Sequence, residues 1–216
     1  ELFSKYGPVF EMWFDGANGG TGYYRGANEK RAIDGKTYYD WPSTLALVRS
    51  MEPQVIFFSD AGPDVRWVGN ERGVAGETNW APISADTLYA GKPGIEKLLN
   101  EGSENGSQWI PAETDVSIRP GWFFHASEND KVKTPEQLFE IYLTSVGRGS
   151  VLLLNVPPDR NGLIHPIDSA SLMGFRDKLG REFHTNLAPG ALPEASTVRG
   201  NAAQFSASKV NDGDKN

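Results

Sequence analysis

The sequence contains no cysteine and only three histidines, His125, His165 and His184, among its 216 residues. The lack of thiols excludes a disulfide framework, a thiolate metal site and a cysteine nucleophile. Three dispersed histidines also leave little material for a histidine-rich metal centre. We therefore expect chemistry that uses no bound metal.

Long apolar runs and an excess of positive charge are missing as well. The longest apolar segments, at 55–58 and 151–154, have the length of strands, whereas a membrane helix needs about 20 apolar residues. The 28 acidic residues outnumber the 21 basic ones, which gives a formal net charge of −7. An acidic chain with scattered basic residues is unsuited to a phosphate backbone. We expect neither a membrane span nor a nucleic-acid partner.

Short apolar strands alternate with amphipathic helices over the first 187 residues. The pattern predicts strands at 9–14, 55–58, 114–118 and 150–156, and helices at 39–52, 134–146 and 168–183. This alternation is typical of parallel βαβ units, and a doubly wound sheet and a barrel both fit it. A long loop is predicted from 65 to 105. Because no dinucleotide or P-loop glycine fingerprint opens a helix, nothing supports a nucleotide cofactor.

The ends of the sequence are atypical of a complete protein. It opens without an initiator methionine or a signal segment and closes on a turn. After Leu187 the composition changes, from a linker-like segment at 188–193 to small, polar and β-branched residues at 195–210. We expect a fragment in which residues 188–216 are a linker and the truncated start of a separate β module.

Three carboxylates are the main candidates for catalysis. Asp15 ends an apolar strand where a Gly/Asn-rich loop begins, and Glu71 and Glu77 lie in a loop beside tryptophans. A retaining glycosidase needs one carboxylate to attack the anomeric carbon and a second, about 5 Å away, to protonate the leaving oxygen. The two must differ in environment so that only one is ionised. The spacing alone favours a turn-capping role for Asp15, because Asp-Gly is common in turns.

The six tryptophans form a second pattern, because four of them (13, 67, 80 and 122) fall beside predicted strand exits. Sugar rings stack their C–H faces on aromatic rings, while their hydroxyls need polar partners. Trp13 and Trp122 are therefore candidates to line a saccharide pocket, with Arg66 and His125 as polar partners. The alternatives are core packing for the tryptophans, a buried ion pair for Arg66 and a backbone hydrogen bond for His125.

Four segments carry the most specific motifs. They are YGPVFEMWFDGA at 6–17, FSDAGPDVRWVGNE at 58–71, IRPGWFFH at 118–125 and LLLNVPPDRNG at 152–162. In this order they resemble the α-L-fucosidases of glycoside hydrolase family 29. The Gly-Asn-Glu ending of the second segment resembles the subfamily that prefers α-1,3- and α-1,4-linked fucose.

The resemblance implies a retaining double displacement without a cofactor. It implies that Asp15 is the nucleophile and that Glu71 is the general acid and then the base, with Glu77 as the fallback. It further implies that Trp122 lines the fucose pocket and that Arg66 orients the carboxylates. The substrate implied is a fucosylated glycan.

The fold implied is a (β/α)₈-like, TIM-type barrel with its chemistry at the carboxyl ends of the strands. Residues 1–187 match only the latter part of that barrel, so we expect the N-terminal half to be required for activity. Residues 188–216 resemble the start of a discoidin-type β-sandwich. The resemblance also implies an extracytoplasmic location, periplasmic or secreted.

Two other functions fit the residues. One is a non-catalytic carbohydrate-binding protein that keeps a barrel-like sugar pocket, although binding alone would not require the Asp15 and Glu71 pair. The other is a retaining glycosidase for a different sugar. A Ser-His-Asp hydrolase is not supported, because the sequence has no Gly-x-Ser-x-Gly elbow.

Overall fold

A computed structural model describes residues 2–15, 20–60 and 62–213 of the chain. Its strands are β1 (Glu11–Trp13), β2 (Gly22–Tyr24), β3 (Glu29–Arg31), β4 (Ile56–Ser59), β5 (Val65–Trp67), β6 (Pro82–Ile83), β7 (Gln108–Trp109), β8 (Ala112–Ser117) and β9 (Val151–Asn155). Its helices are α1 (Leu2–Lys5), α2 (Trp41–Met51), α3 (Glu96–Glu101), α4 (Pro135–Thr144) and α5 (Pro166–Glu182). None of the helices in these residues combines the length and the apolar character that a membrane crossing needs.

One parallel sheet organises these elements. Its strand order is β1-β4-β5-β8-β9, and every neighbouring pair is parallel. The spatial order therefore follows the chain order without a reversal, whereas a doubly wound sheet reverses at a switch point. This topology is part of a (β/α) barrel wall, and it resolves the two alternatives that the strand–helix pattern left open.

Side chains alternate between the two faces of this sheet. Met12 and Phe14 pack with the buried Val48 and Phe57 on the side of α2, and Val116 packs with α4 on the same side of the sheet. The residues between them point the other way, to a face that we call the lumen face. The lumen face carries Glu11 and Trp13 from β1, Asp15 just after that strand, and Glu113, Asp115 and Ser117 from β8.

Local signals position the helices close to their predicted bounds. Thr134 Oγ1 accepts the Gln137 N–H at 3.3 Å and Gln137 Oε1 accepts the Thr134 N–H at 2.9 Å, which confirms the predicted capping box of α4. Helix α5 begins two residues before the predicted Asp168, because Pro166 suits a first turn and His165 Nδ1 accepts the Ile167 N–H.

The strand β5 was not predicted and instead fell within the predicted loop at 65–105. It lies between β4 and β8, and its backbone hydrogen bonds with the β8 side extend one residue beyond the strand ends. The Arg66 N–H donates to Pro111 O and the Val68 N–H donates to Glu113 O, each at 3.0 Å. Three residues are too few to show a strand period, so only its pairing partners define this strand.

The C-terminal segment contains no strand in its described part, residues 188–213. It forms four 3₁₀ turns, Ala188–Gly190, Arg199–Asn201, Ala203–Phe205 and Ala207–Val210. The strands expected at 195–210 do not form here, because an isolated strand has no partner for its backbone hydrogen bonds. The assignment of residues 188–216 to a separate β-sandwich stays a prediction.

Candidate active site

Four carboxylates meet at the carboxyl ends of the strands, and we call them the carboxylate cluster: Asp15, Asp60, Glu71 and Asp115. Asp15 follows β1, Asp60 follows β4, Glu71 lies four residues beyond β5, and Asp115 lies within β8. Asp115 interacts electrostatically with both Asp15 and Glu71, and Asp60 interacts with Asp15. The structure therefore brings the predicted nucleophile and the predicted acid/base to the same buried carboxylate.

The cluster contains two carboxyl groups with shifted titration. Burial raises the pKa of Asp115, and the negative charges of Glu71 and Asp15 act in the same direction, against a hydrogen bond from Trp67. Burial also raises the pKa of Asp60, against a backbone N–H from Gly91. Within the described ranges 2–15, 20–60 and 62–213, no group of three or more His, Asp or Glu residues could hold a metal ion.

Two indole N–H groups bind carboxylates of the cluster. Trp67 Nε1 donates to Asp115 Oδ1 at 2.7 Å, and Trp122 Nε1 donates to Glu71 Oε2 at 3.3 Å. Trp13 stacks on Phe58 with a centroid distance of 5.2 Å and is 40% exposed on the lumen face. The structure thus places the predicted Trp13 and Trp122 at the carboxyl ends of the strands, with Trp122 in contact with Glu71.

Asn155, which was not predicted as a site residue, holds Trp122 and the loop after β8 in place. Asn155 Nδ2 donates to Ser117 Oγ at 2.9 Å and to Trp122 O at 3.0 Å, and Ser117 Oγ donates to Gly121 O at 2.7 Å. The signal was present in the sequence, because Asn155 is a lone amide at the end of an apolar strand.

Arg119 also fixes the loop after β8. Its Nε lies 2.9 Å from Asp168 Oδ2 in an ion pair of which both side chains are fully buried. Its other nitrogens donate to His125 O at 3.2 Å and to Asn129 Oδ1 at 3.0 Å. Arg119 therefore makes a structural ion pair, and it also lines a small cavity that Glu71 borders.

His125 follows this anchor at the rim of the site. Its backbone carbonyl accepts from Arg119, while its side chain is exposed. The side chain borders a cavity of about 300 Å³ that Asp159 and Arg160, from the loop after β9, line on the other side. Its substrate contact stays a prediction.

Glu77 lies at the opposite edge of the sheet from Asp15. Its side chain is 90% exposed, and its Oε1 is 3.8 Å from Nη2 of Arg148, a residue that precedes β9. Arg148 Nη1 in turn donates to Ala75 O at 2.7 Å, which fixes this region beside the amino ends of the strands. Of the two glutamates, only Glu71 belongs to the carboxylate cluster.

The expected substrate role of Arg66 does not agree with its position. The side chain is fully buried, and it lies on the helix side of β5 because its neighbour Trp67 faces the lumen. Its guanidinium donates to five acceptors, Leu99 O, Ala81 O, Ile110 O, Trp80 O and Asn79 Oδ1. A guanidinium has five N–H groups, so none is left for a substrate. Burial lowers the pKa of Arg66 to about 10, which leaves it charged at neutral pH.

We expect Arg66→Lys to lower stability and to leave substrate binding unchanged. Lysine has three N–H donors, so at least two of the five acceptors would lose their partner, at a cost of about 2 kcal/mol. The measurement is urea unfolding together with KM for an aryl α-L-fucoside, in a protein that contains this chain and a complete barrel. A tenfold higher KM with unchanged unfolding would restore the substrate role.

A second pair of carboxyls, Glu11 and Glu113, lies on the lumen face closer to the amino ends of the strands than the carboxylate cluster. Burial raises the pKa of Glu113 to about 8, with further contributions from the charge and hydrogen bond of Glu11 and from the charge of Asp115. Glu113 and Asp115 were not among the site residues predicted from the sequence. Their alternation along the strand Ala112–Ser117 was the available signal, but it reads equally well as a solvated strand face.

Comparison with known proteins identifies the family of the chain. A family model described as Alpha-L-fucosidase matches residues 1–179. The chain belongs to the alpha-L-fucosidase family. This membership confirms the resemblance carried by the four sequence motifs and places the chain among glycoside hydrolases.

Three individual relatives support the assignment of the chain to this family. Alpha-L-fucosidase 1 of Arabidopsis thaliana is 41% identical over 97% of this chain. The crystal structure of a glycoside hydrolase 29 family member from an unknown rumen bacterium is 46% identical over 91% of this chain, with a TM-score of 0.79. A GH29 fucosidase of Ruminococcus gnavus in complex with fucose is 31% identical over 94% of this chain, with a TM-score of 0.69.

The match covers only part of each relative. The chain spans 39% of the Arabidopsis protein, 35% of the rumen bacterial protein and 40% of the Ruminococcus gnavus protein. The five parallel strands accordingly correspond to a part of a family barrel.

Proposed function

We propose that a protein containing this chain is a retaining exo-α-L-fucosidase that releases terminal α-1,3- or α-1,4-linked fucose from glycans. One observation carries the proposal: Asp15 and Glu71 come from separate strand ends and both interact with Asp115. A turn-capping role for Asp15 would not require this meeting with a second carboxylate. Membership of the family supplies the sugar, and the Gly-Asn-Glu motif supports the linkage.

The two carboxylates perform the reaction in two steps. In the first step an Asp15 oxygen attacks the anomeric carbon of fucose, the glycosidic C–O bond breaks, and Glu71 gives its proton to the leaving oxygen. In the second step the ionised Glu71 takes a proton from water. That water attacks the anomeric carbon, and the bond to Asp15 breaks. The two inversions at the anomeric carbon together retain its configuration.

The aromatic side chains around the cluster provide the sugar surface. Trp13 exposes part of its ring on the lumen face, and Trp122 is held beside Glu71. Both would contact apolar C–H groups of fucose, as aromatic rings do with sugars. His125 would meet a hydroxyl at the rim. The Ruminococcus gnavus relative is described in complex with fucose, which supports this substrate class.

The proposal also includes the strands that would complete the barrel. In the described sheet β1 and β9 are the outer strands, and their open edges favour pairing with further strands. We propose that preceding strands complete the barrel, that residues 188–216 begin a β-sandwich, and that the protein works outside the cytoplasm.

The first experiment compares fucose release by this chain and by a form extended toward the N-terminus. The substrates are an aryl α-L-fucoside and a Lewis-type trisaccharide, with other aryl glycosides as controls. We expect release of fucose only, and only by the extended form. Sugar binding without turnover in both forms would instead indicate a carbohydrate-binding protein, and turnover of another glycoside would indicate another specificity.

We expect Glu71→Ala to lower kcat for an aryl fucoside by about 10² to 10³, because general acid–base catalysis is lost. Azide needs no general base, so it should restore part of the rate and yield an azide product of retained configuration. Glu77→Ala is the matched control, since this side chain is exposed at the other edge of the sheet. Azide rescue in Glu77→Ala and not in Glu71→Ala would move the acid/base role to Glu77.

A further inference from the structure

A cavity of about 300 Å³ at the rim of the site has no ligand assigned by the two-step reaction. We call it the rim cavity. Its walls are the two segments that follow β8 and β9, and the residues that line it include Phe124, His125, Ser127, Asp159, Arg160 and Asn161. The rim cavity therefore lies at the carboxyl ends of the strands, as the carboxylate cluster does. Its volume is at the lower end of the range of about 300 to 1,000 Å³ for small-ligand sites.

The rim cavity adjoins the side of the site on which Glu71 lies. Arg119 lines the small cavity that Glu71 borders, and its guanidinium carbon is 4.6 Å from the ring centroid of Phe124. Since Phe124 lines the rim cavity, one guanidinium–ring pair lies between the two cavities. In the sheet order β1-β4-β5-β8-β9, Asp15 follows the first strand and the rim cavity follows the last two. The acid/base protonates the leaving oxygen, so the leaving sugar must lie on the Glu71 side, away from the nucleophile.

The wall that follows β8 is fixed by its neighbours. The Phe124 ring contacts the Arg119 guanidinium and the His165 ring, the latter with a centroid distance of 5.5 Å. The His125 carbonyl accepts from Arg119 Nη1 at 3.2 Å, and the buried ion pair with Asp168 holds Arg119 itself. Because this wall is already ordered, a sugar that binds there loses little affinity to the ordering of side chains.

The wall that follows β9 is a tight turn with Arg160 at its tip. The Gly162 N–H donates to Asp159 O at 3.0 Å, and the Asp159 N–H donates to Leu163 O at 2.8 Å. Asp159 Oδ1 accepts the backbone N–H groups of Asn161 at 2.8 Å and of Leu163 at 3.1 Å. The Arg160 side chain is exposed, and within the described part of the chain it forms no hydrogen bond or ion pair. Its five N–H donors are therefore available to a ligand in the rim cavity.

The polar groups of the walls suit the hydroxyls of a neutral sugar. Hydrogen bonds from the backbone of Leu163 and Asn161 hold the pKa of Asp159 below its ordinary value, so this carboxylate is ionised and its charge opposes that of Arg160. Opposite charges side by side favour a neutral ligand over an anion. The Ser127 hydroxyl and the Asn161 amide add both donors and acceptors, and a sugar hydroxyl needs both.

Resting on the proposed function, we propose that the rim cavity binds the leaving sugar, the neutral residue to which fucose is attached, and that Arg160 is its main hydrogen-bond donor. Phe124 forms the apolar part of the site, and His125 lies where the leaving sugar meets the fucose. An aryl leaving group has no hydroxyls for Arg160, so the rim cavity distinguishes a glycan from an aryl fucoside.

The test is the ratio of kcat/KM for a Lewis-type trisaccharide to kcat/KM for an aryl α-L-fucoside, measured on the protein with its complete barrel. Arg160→Ala should lower this ratio about tenfold, because a hydrogen bond from a charged group to the leaving sugar is lost. An unchanged ratio would overturn the inference. Turnover of the aryl fucoside with none of the trisaccharide, in the unmodified protein, would overturn it as well.

Transfer of fucose to the defucosylated disaccharide is the second readout, because that disaccharide would occupy the rim cavity. A disaccharide hydroxyl then replaces water: its oxygen bonds to the anomeric carbon, its proton goes to Glu71, and the bond to Asp15 breaks. With an aryl fucoside as the donor, Arg160→Ala should lower the yield of trisaccharide relative to free fucose about tenfold. Equal relative yields in the variant and the unmodified protein would overturn the inference.

Arg176→Ala is the matched control, since it removes an exposed arginine from α5, outside the rim cavity. The ratio should stay that of the unmodified protein, and an equal fall in this variant would overturn the specific role of Arg160. The aryl fucoside separates the two proposals. If the unmodified protein releases no fucose from it, the proposed function fails and the role of the rim cavity fails with it. If fucose is released but Arg160→Ala changes neither the ratio nor the transfer yield, only the role of the rim cavity fails.

Discussion

Asp15→Ala is expected to lower kcat for an aryl α-L-fucoside by about 10⁴ or more, since no other group then forms the covalent intermediate. Folding should be unaffected. Asp15 is exposed at the end of β1, and its removal takes away little packing. The measurement is kcat together with the thermal midpoint of the protein that carries the complete barrel. Turnover close to that of the unmodified protein would contradict the nucleophile assignment.

The stereochemistry of azide rescue provides a sharper readout for the same variant. Without Asp15, azide attacks the anomeric carbon once from the vacated side, so the fucosyl azide should have inverted configuration. With Glu71→Ala the Asp15 ester still forms, and the product should keep its configuration. Asp60→Ala is the matched control, because Asp60 also follows a strand end and accepts the Gly91 N–H at 2.7 Å. It should give no azide product.

Asp168→Ala is expected to lower the free energy of unfolding by about 3–5 kcal/mol, the usual cost of leaving one partner of a buried ion pair alone. Asp168 and Arg119 are both fully buried, and their atoms Oδ2 and Nε are 2.9 Å apart. The uncompensated Arg119 also supports the backbone of His125, so kcat should fall with stability. Urea unfolding of the protein with its complete barrel measures the first effect.

Two further variants make this prediction specific to the ion pair. Asp177→Ala changes an exposed aspartate of the same helix and should alter the free energy of unfolding by less than about 0.5 kcal/mol. A double replacement, Arg119→Met with Asp168→Leu, should recover much of the loss, because no charge then stays buried alone. A loss below about 1 kcal/mol in Asp168→Ala would show that the pair contributes little.

Several features of the protein follow from short stretches of its sequence. An apolar run that stops at an aspartate before glycine predicts a strand end, and Asp15 does lie at the end of β1. The Thr134 and Gln137 pair predicts the start of α4 because a capping box involves only neighbouring residues. Of the Gly/Asn-rich stretch predicted at 15–22, residues 16–19 lie outside the described residues. Four ordered motifs were sufficient to indicate the family.

Features that depend on distant residues required the tertiary structure. Strand β5 is too short to have a period, and it is a strand only because β4 and β8 lie on either side. That strand decides the roles of Arg66 and Trp67, since adjacent residues in a strand point to opposite faces.

The choice between Glu71 and Glu77 as the acid/base residue also required the tertiary structure. The two residues are six positions apart in one loop, and local sequence makes them nearly equivalent. The path of that loop takes Glu71 to Asp115 and Trp122 and takes Glu77 to Arg148 at the other edge. Local sequence therefore determined which residues could act, and the packing of separate strands decided which of them meet, because electrostatic contacts depend on distance in space and not along the chain.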